Sequence, residues 1–224
     1  MIGLTYQRRK NIKMAKDYTL LKKAIQIAEQ YHREQTRHEG IPYIVHPMDV
    51  LNILIALGVT DETLLCAAVL HDTIEDTEYT EVMMRRDFGD AITNIVLEVT
   101  KIEENQHTTT IKEKMDFLKD CVNKSFDSLL LKFADRYSNV ISYGRDKRKW
   151  YQGYYAAQAY PMVNHLLNYV KEHGDTAITN KLFTTIVKEL DEIVFMQYEV
   201  SLLEESDKYQ LEHIVMNREK GNKE

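Results

Sequence analysis

Proline and glycine are scarce in this chain, at three and eight among 224 residues. So little punctuation excludes a strand-rich sandwich or barrel, with its frequent turns, and leaves long stretches suited to helices. Cysteine is scarcer still. Cys66 and Cys121 have no paired spacing, so no disulfide framework is expected and a reducing, cytoplasmic setting fits best. No apolar run approaches the roughly 18 residues needed to span a membrane, and no apolar signal segment follows the N-terminal charges. A basic excess is also missing: the net charge is −6, which disfavours a nucleic-acid partner. What is present is ordinary for a globular protein, with 44% hydrophobic and 29% charged residues, enough to bury a core.

The expected organisation is all-α. Residues 1–16 carry Arg8, Arg9, Lys10, Lys13 and Lys16 without an acid and read as a basic tail. Apolar residues recur at helical spacing from Tyr18 to Glu34. "TRHEGIPYIVHP" interrupts them with Gly40, Pro42 and Pro47 and reads as a structured connection. Met48 to Leu57 predicts a helix stopped by Gly58. Asp61 is a predicted N-cap for a helix from Glu62 to about Thr73. Two short helices, 80–88 and 90–99, should be split by Gly89. Longer helices are expected over 111–123, Ser125 to about Tyr143, 151–172, and 177 to about 209.

The stretch "AAVLHDTIEDT" (67–77) runs from an apolar helix into His71, Asp72, Glu75 and Asp76. In a continuous helix His71 and Glu75 share one face, and Asp72 and Asp76 the adjacent one. Carboxylates at the end of a buried helix are costly unless compensated. A divalent cation is an economical compensation, and imidazole with carboxylate suits Mn, Fe, Zn or Co. His46 is a further candidate ligand, because Pro42 and Pro47 stiffen the backbone around it. Asp135, in "LLLKFADRYSNV", again puts a carboxylate on an apolar helix, with Asn139 four residues on. Each of these residues alone reads as an ordinary packed or ion-paired side chain; together they do not.

An HD dipeptide closing an apolar helix, with a constrained histidine before it and an aspartate on a later apolar helix, is the pattern of the HD phosphohydrolase superfamily. "QTRHEGIPYIVHP", "AAVLHDTIEDT", "VTK" and "LKFADRYSN" together resemble the hydrolase domain of the RelA/SpoT homologues, over about residues 20 to 145. Those enzymes remove the 3′-pyrophosphate of guanosine 3′,5′-bis(diphosphate), ppGpp. The resemblance implies an all-helical HD-type domain and a bound Mn²⁺. By matched motif it implies that His46, His71, Asp72 and Asp135 are metal ligands and that Glu75 and Asp76 serve catalysis. It further implies that Arg37 packs against the guanine and that Asn139 and Ser142 contact the nucleoside; Ser142 stands where the family usually has Thr. His38 and Lys101 are candidate phosphate contacts, as are Arg136 and the cluster Arg145, Lys147, Arg148 and Lys149. The usual "ADRLHN" is "ADRYSN" here, and Glu39 replaces a small residue.

The expected division is a tail (1–16), an HD core (17–175) and a C-terminal helical extension (176–224) packed on the same domain. The residues after the motifs read as helices without strand pattern, so no synthetase domain is expected in this chain. The expected partner is a guanosine nucleotide, with neither nucleic acid nor membrane. Two alternatives stand beside ppGpp hydrolysis: an HD phosphohydrolase acting on the 2′-phosphate of NADPH or on a nucleoside phosphate, and a non-catalytic nucleotide-binding HD module. The intact ligand and carboxylate set speaks against the last.

Overall fold

Seven consecutive buried residues, Leu64 to Leu70, make one helix the centre of the molecule. A computed structural model describes residues 18–37, 40–101, 124–144, separate positions between 155 and 172, and a helix at 181–199. Seven named helices follow in chain order: α1 (Thr19–Tyr31), α2 (Val45–Ala56), α3 (Glu62–Leu70), α4 (Thr73–Asp76), α5 (Glu81–Val99), α6 (Phe126–Gly144) and α7 (Lys181–Glu199). Among the described residues there is no strand, only an isolated antiparallel bridge between Thr36 and Pro42. The fold is all-α, as expected.

Helix α3 packs against α1, α2, α5 and α6, which is why it is apolar on every side. Its start is fixed by local chemistry. The Asp61 carboxylate accepts from the amides of Thr63 (2.6 Å) and Leu64 (3.4 Å), a cap worth about 0.5–2 kcal/mol. Glu62 reaches across to accept from the Leu21 amide at 3.0 Å, holding the start of α1 on α3. Gly58, at φ +94°, ends the α2 region, a left-handed conformation that glycine adopts without strain. Gly89, at φ +78°, breaks α5 into two limbs, at the expected split.

Two expectations need correction. The helix predicted from Met48 begins at Val45, so His46 and Pro47 lie in its first turn, where a missing proline N–H leaves no orphan. The helix predicted to run to Thr73 stops at Leu70, and α4 is a separate turn. The Thr73 hydroxyl donates to the Leu70 carbonyl at 2.6 Å, satisfying the helix end. His71 and Glu75 therefore do not lie on one continuous helix: His71 is buried at the end of α3, while Glu75 is exposed on α4.

Helix α6 is placed by the end of α5. Glu98 accepts from the Ser125 amide (3.1 Å) and from the hydroxyls of Ser125 (2.7 Å) and Ser128 (2.5 Å), and Lys124 donates to the Glu98 carbonyl at 2.6 Å. Buried Phe183, Ile186, Leu190 and Ile193 form one stripe on α7. Phe133 of α6 meets Phe183 at 5.5 Å between ring centres, and the Tyr137 hydroxyl donates to Glu189 at 2.6 Å. Cys66 is a buried core residue whose thiol is pushed up to about 12 by burial; Cys121 lies outside the described residues.

Candidate metal centre

Two helix ends and the middle of a third helix converge on one buried point. The start of α2 supplies His46, the end of α3 supplies His71 and Asp72, and the middle of α6 supplies Asp135. One ligand atom each of His46, His71 and Asp72 lies within 4.8 Å of the others. Asp72 Oδ2 is 3.0 Å from His71 Nε2 and 3.6 Å from His46 Nε2. Asp135 Oδ1 adjoins this group, 3.3 Å from His46 Nε2. Three of the expected ligands thus form one cluster, and the fourth touches it through His46.

The donor set fits a divalent cation on structural grounds. His71 Nδ1 lies 2.9 Å from the Ala68 carbonyl, which can only accept, so Nδ1 carries a proton there. Its Nε2 is buried, forms no well-aligned hydrogen bond and faces the Asp72 carboxylate at 3.0 Å. A buried imidazole nitrogen set against a carboxylate in this way suits a cation that both can bind. Burial opposes a charge on His71, but the adjacent Asp72 carboxylate outweighs it and raises the ring's affinity for a proton. Burial acts unopposed enough at His46 to lower its own. Asp72, despite burial, is held far below the usual carboxylate range by His71. Asp135 is held low against its burial by Arg136 and Lys132.

Glu75 and Asp76 stand at the open rim. The Glu75 carboxylate accepts from the Lys101 amide at 3.0 Å, and its pKa is raised mainly by partial burial. Asp76 is pushed up to about 6 by partial burial and by the charge of Asp72. Tyr43 joins the two layers: its hydroxyl lies 2.7 Å from Asp72 Oδ2 and 3.0 Å from Asp76 Oδ2. Sequence reasoning missed Tyr43, although its place three residues before His46 in the proline-flanked connection was the available signal. An open cleft of about 1110 Å³ runs beside the rim between Arg33, Glu34 and Gln35 on one side and Glu75 and Asp76 on the other.

The expected nucleoside contacts are adjacent. Half-buried Arg37 donates through Nη2 to Asn139 Oδ1. Asn139 in turn donates to the Asp135 carboxylate at 2.9 Å and to its carbonyl at 3.0 Å. Ser142 is half-buried near the end of α6. Arg136, expected among the phosphate candidates, instead binds Asp135 Oδ2 at 2.5 Å and lies over the Tyr155 ring. Lys101 meets the site through its amide. His38, Glu39 and the cluster 145–149 lie outside the described residues.

Comparisons with known proteins converge on the same reading of the fold. A family model described as an HD domain matches residues 24–149, more than half of the chain. A GTP pyrophosphokinase of Streptomyces coelicolor is 41% identical over 121 residues, covering 54% of this chain and 14% of that protein. A guanosine-3′,5′-bis(diphosphate) 3′-pyrophosphohydrolase of Aquifex aeolicus is 36% identical over 132 residues, covering 58% of this chain and 19% of that protein. The chain therefore spans under a fifth of the length of these two relatives. A solved structure of a metazoan ortholog of SpoT, described as hydrolyzing ppGpp, aligns with a TM-score of 0.63 at 26% identity, over 80% of this chain and 96% of that one.

Proposed function

Because the chain belongs to the HD domain family, we propose that it is a metal-dependent phosphohydrolase that removes the 3′-pyrophosphate of ppGpp, releasing GDP and pyrophosphate. Mn²⁺ is the proposed ion, held by His46, His71, Asp72 and Asp135. The activity for which the Aquifex relative and the metazoan SpoT ortholog are named supports this substrate. The observation that carries the proposal is the hydrogen-bonded line from Arg37 through Asn139 to Asp135. It sets the two residues matched to nucleoside recognition directly against a metal ligand.

When bound, the cation supplies a lowered pKa for water and polarisation of a phosphoryl oxygen. The chain's own residues do the rest. Glu75 and Asp76 both have raised proton affinities at the rim, which suits carboxyls that exchange a proton near neutral pH. Between them they take the proton of the attacking water and return one to the leaving ribose 3′-oxygen. Tyr43 fixes Asp76 relative to Asp72. Arg37, Asn139 and Ser142 orient the nucleoside, with His38 and Lys101 toward the phosphates. Residues 17–175 form the proposed catalytic unit, with 1–16 as a basic tail and 176–224 as an extension on the same domain. No described helix is long and apolar enough to cross a membrane, and a cytoplasmic setting accompanies the proposal.

The test is to incubate the Mn²⁺-loaded protein with ppGpp, NADPH and a nucleoside monophosphate panel and to separate products by chromatography. GDP and pyrophosphate from ppGpp support the proposal. Phosphate from NADPH, or nucleotide binding without turnover, contradicts it.

A further inference from the structure

The two histidines of the site differ in what holds their second nitrogen. His71 Nδ1 faces the Ala68 carbonyl at 2.9 Å. A carbonyl only accepts, so it keeps a proton on Nδ1 and leaves Nε2 to face Asp72 or an ion. His46 Nδ1 faces the Ser138 hydroxyl at 3.0 Å. A hydroxyl both donates and accepts, so it satisfies either tautomer. Both side chains are buried, His46 at 3% exposure and Ser138 at 1%.

The surroundings of His46 Nε2 make that difference matter. Asp135 Oδ1 lies 3.3 Å away and Asp72 Oδ2 3.6 Å away. Without a cation, a neutral ring is best placed with its proton on Nε2, donating toward these carboxylates, while Nδ1 accepts from Ser138. Ligation by Nε2 requires the opposite tautomer, with Nδ1–H donating to Ser138. An acceptor-only partner at Nδ1 would oppose the first state. No partner at all would leave a buried nitrogen unsatisfied in both, at a cost of about 1–3 kcal/mol. Ser138 is also well sited: it lies on α6 between Asp135 and Asn139, so the helix that brings one ligand braces another.

We infer that Ser138 is a positioning residue for the metal centre: its hydroxyl holds the His46 ring with Nε2 toward the ion and reverses its own hydrogen bond as the ion arrives. This rests on the metal-centre reading above but not on the identity of the substrate. It also gives a physical role to a position where the sequence departs from the usual "ADRLHN".

The test compares wild type, Ser138→Ala, Ser138→Cys and Ser138→Thr as full chains. Mn²⁺ dissociation constants are read from the free-ion paramagnetic resonance signal, with the metal-free melting temperature of each variant alongside. Histidine ¹⁵N shifts are recorded on metal-free and Zn²⁺-loaded wild type. Loss of the hydroxyl in the Ala and Cys variants should weaken Mn²⁺ binding by about 10–100-fold, the usual effect of removing a ligand's outer partner. The Thr variant, which keeps the hydroxyl, should restore binding. The wild-type spectra should show the His46 proton on Nε2 without metal and on Nδ1 with it. Wild-type affinity in Ser138→Ala, or one unchanged His46 tautomer in the two wild-type spectra, overturns the inference and leaves the metal centre standing. A wild type that retains no Mn²⁺ overturns both. The spectra need no variant, so they decide even if Ser138→Ala does not fold.

Discussion

The two walls of the site neutralise their carboxylates in opposite ways. On α6, Asp135 has its own cations: Lys132 at 3.1 Å and Arg136 at 2.5 Å take Oδ2, and Asn139 donates to Oδ1. On the α3–α4 side, Asp72 has two histidines and the Tyr43 hydroxyl, and no lysine or arginine is paired with it among the described residues. His71 Nε2 on the same wall is buried, with the Asp72 carboxylate as its polar neighbour. The α6 carboxylate is thus neutralised by protein cations, whereas the α3–α4 carboxylate meets only imidazoles and a hydroxyl and is the one that a cation would complete. Stability and metal binding should therefore separate when the two walls are damaged one at a time.

The largest effect is expected at the incomplete wall. Asp72→Ala should abolish Mn²⁺ binding and ppGpp turnover together, while the metal-free protein loses less stability than Asp135→Ala loses; metal analysis and calorimetry check this. Asp135→Ala should behave differently. It removes the carboxylate that pairs with buried Lys132 and half-buried Arg136, and removing one partner of a buried pair costs about 3–5 kcal/mol. Chemical denaturation of metal-free protein should show that loss; equal metal-free stability for the two variants would erase the distinction between the walls. Glu75→Gln comes next. It should keep the ion but lower the rate by roughly 10²–10⁴-fold, the usual worth of general acid–base help, measured as kcat alongside bound metal.

Part of this was legible in the sequence because the signals are local. The Asp61 cap, the Gly58 stop and the Gly89 break each depend on a few adjacent residues, and each lies where expected. The four proposed ligands stood out for a similar reason: each is a polar residue on an apolar segment, and the fold brings His46, His71 and Asp72 into one cluster with Asp135 beside His46. Features that depend on distant pairing were not. Glu98 anchors Ser125 and Ser128 across about thirty residues, and Tyr43 reaches Asp72 and Asp76 from another segment. The unbroken helix expected through His71 to Thr73 failed because apolar periodicity does not register a break, whereas the chain turns at His71 and Asp72. Tyr137 and Ser138 looked like departures in a motif. In the fold the first reaches Glu189 of α7 and the second braces His46.

Smaller effects sharpen the comparison. The Asp76 carboxyl, raised from 3.8 to about 6, favours its protonated form in the fold. Its contribution to stability is therefore present at low pH and lost as pH rises through about 6. Asp72 and Asp135 have the opposite sign, with folded values below their unfolded ones, so their stabilisation is present above 3.8 and lost on acidification below it. Metal-free protein should gain slightly in melting temperature relative to Asp76→Asn as pH falls from about 6 to 4, and the difference between the two curves should stay constant below that window. Superimposable curves throughout would show that the rim carboxylate does not sense the charge of Asp72.

The most direct measurement is Mn²⁺ retention and product release on one preparation, before and after chelation. Retained Mn²⁺, with GDP and pyrophosphate formed in equal amounts from ppGpp, lost on chelation and regained when Mn²⁺ returns, is the expected result. Turnover that survives chelation, or a protein that retains no Mn²⁺, would contradict the account.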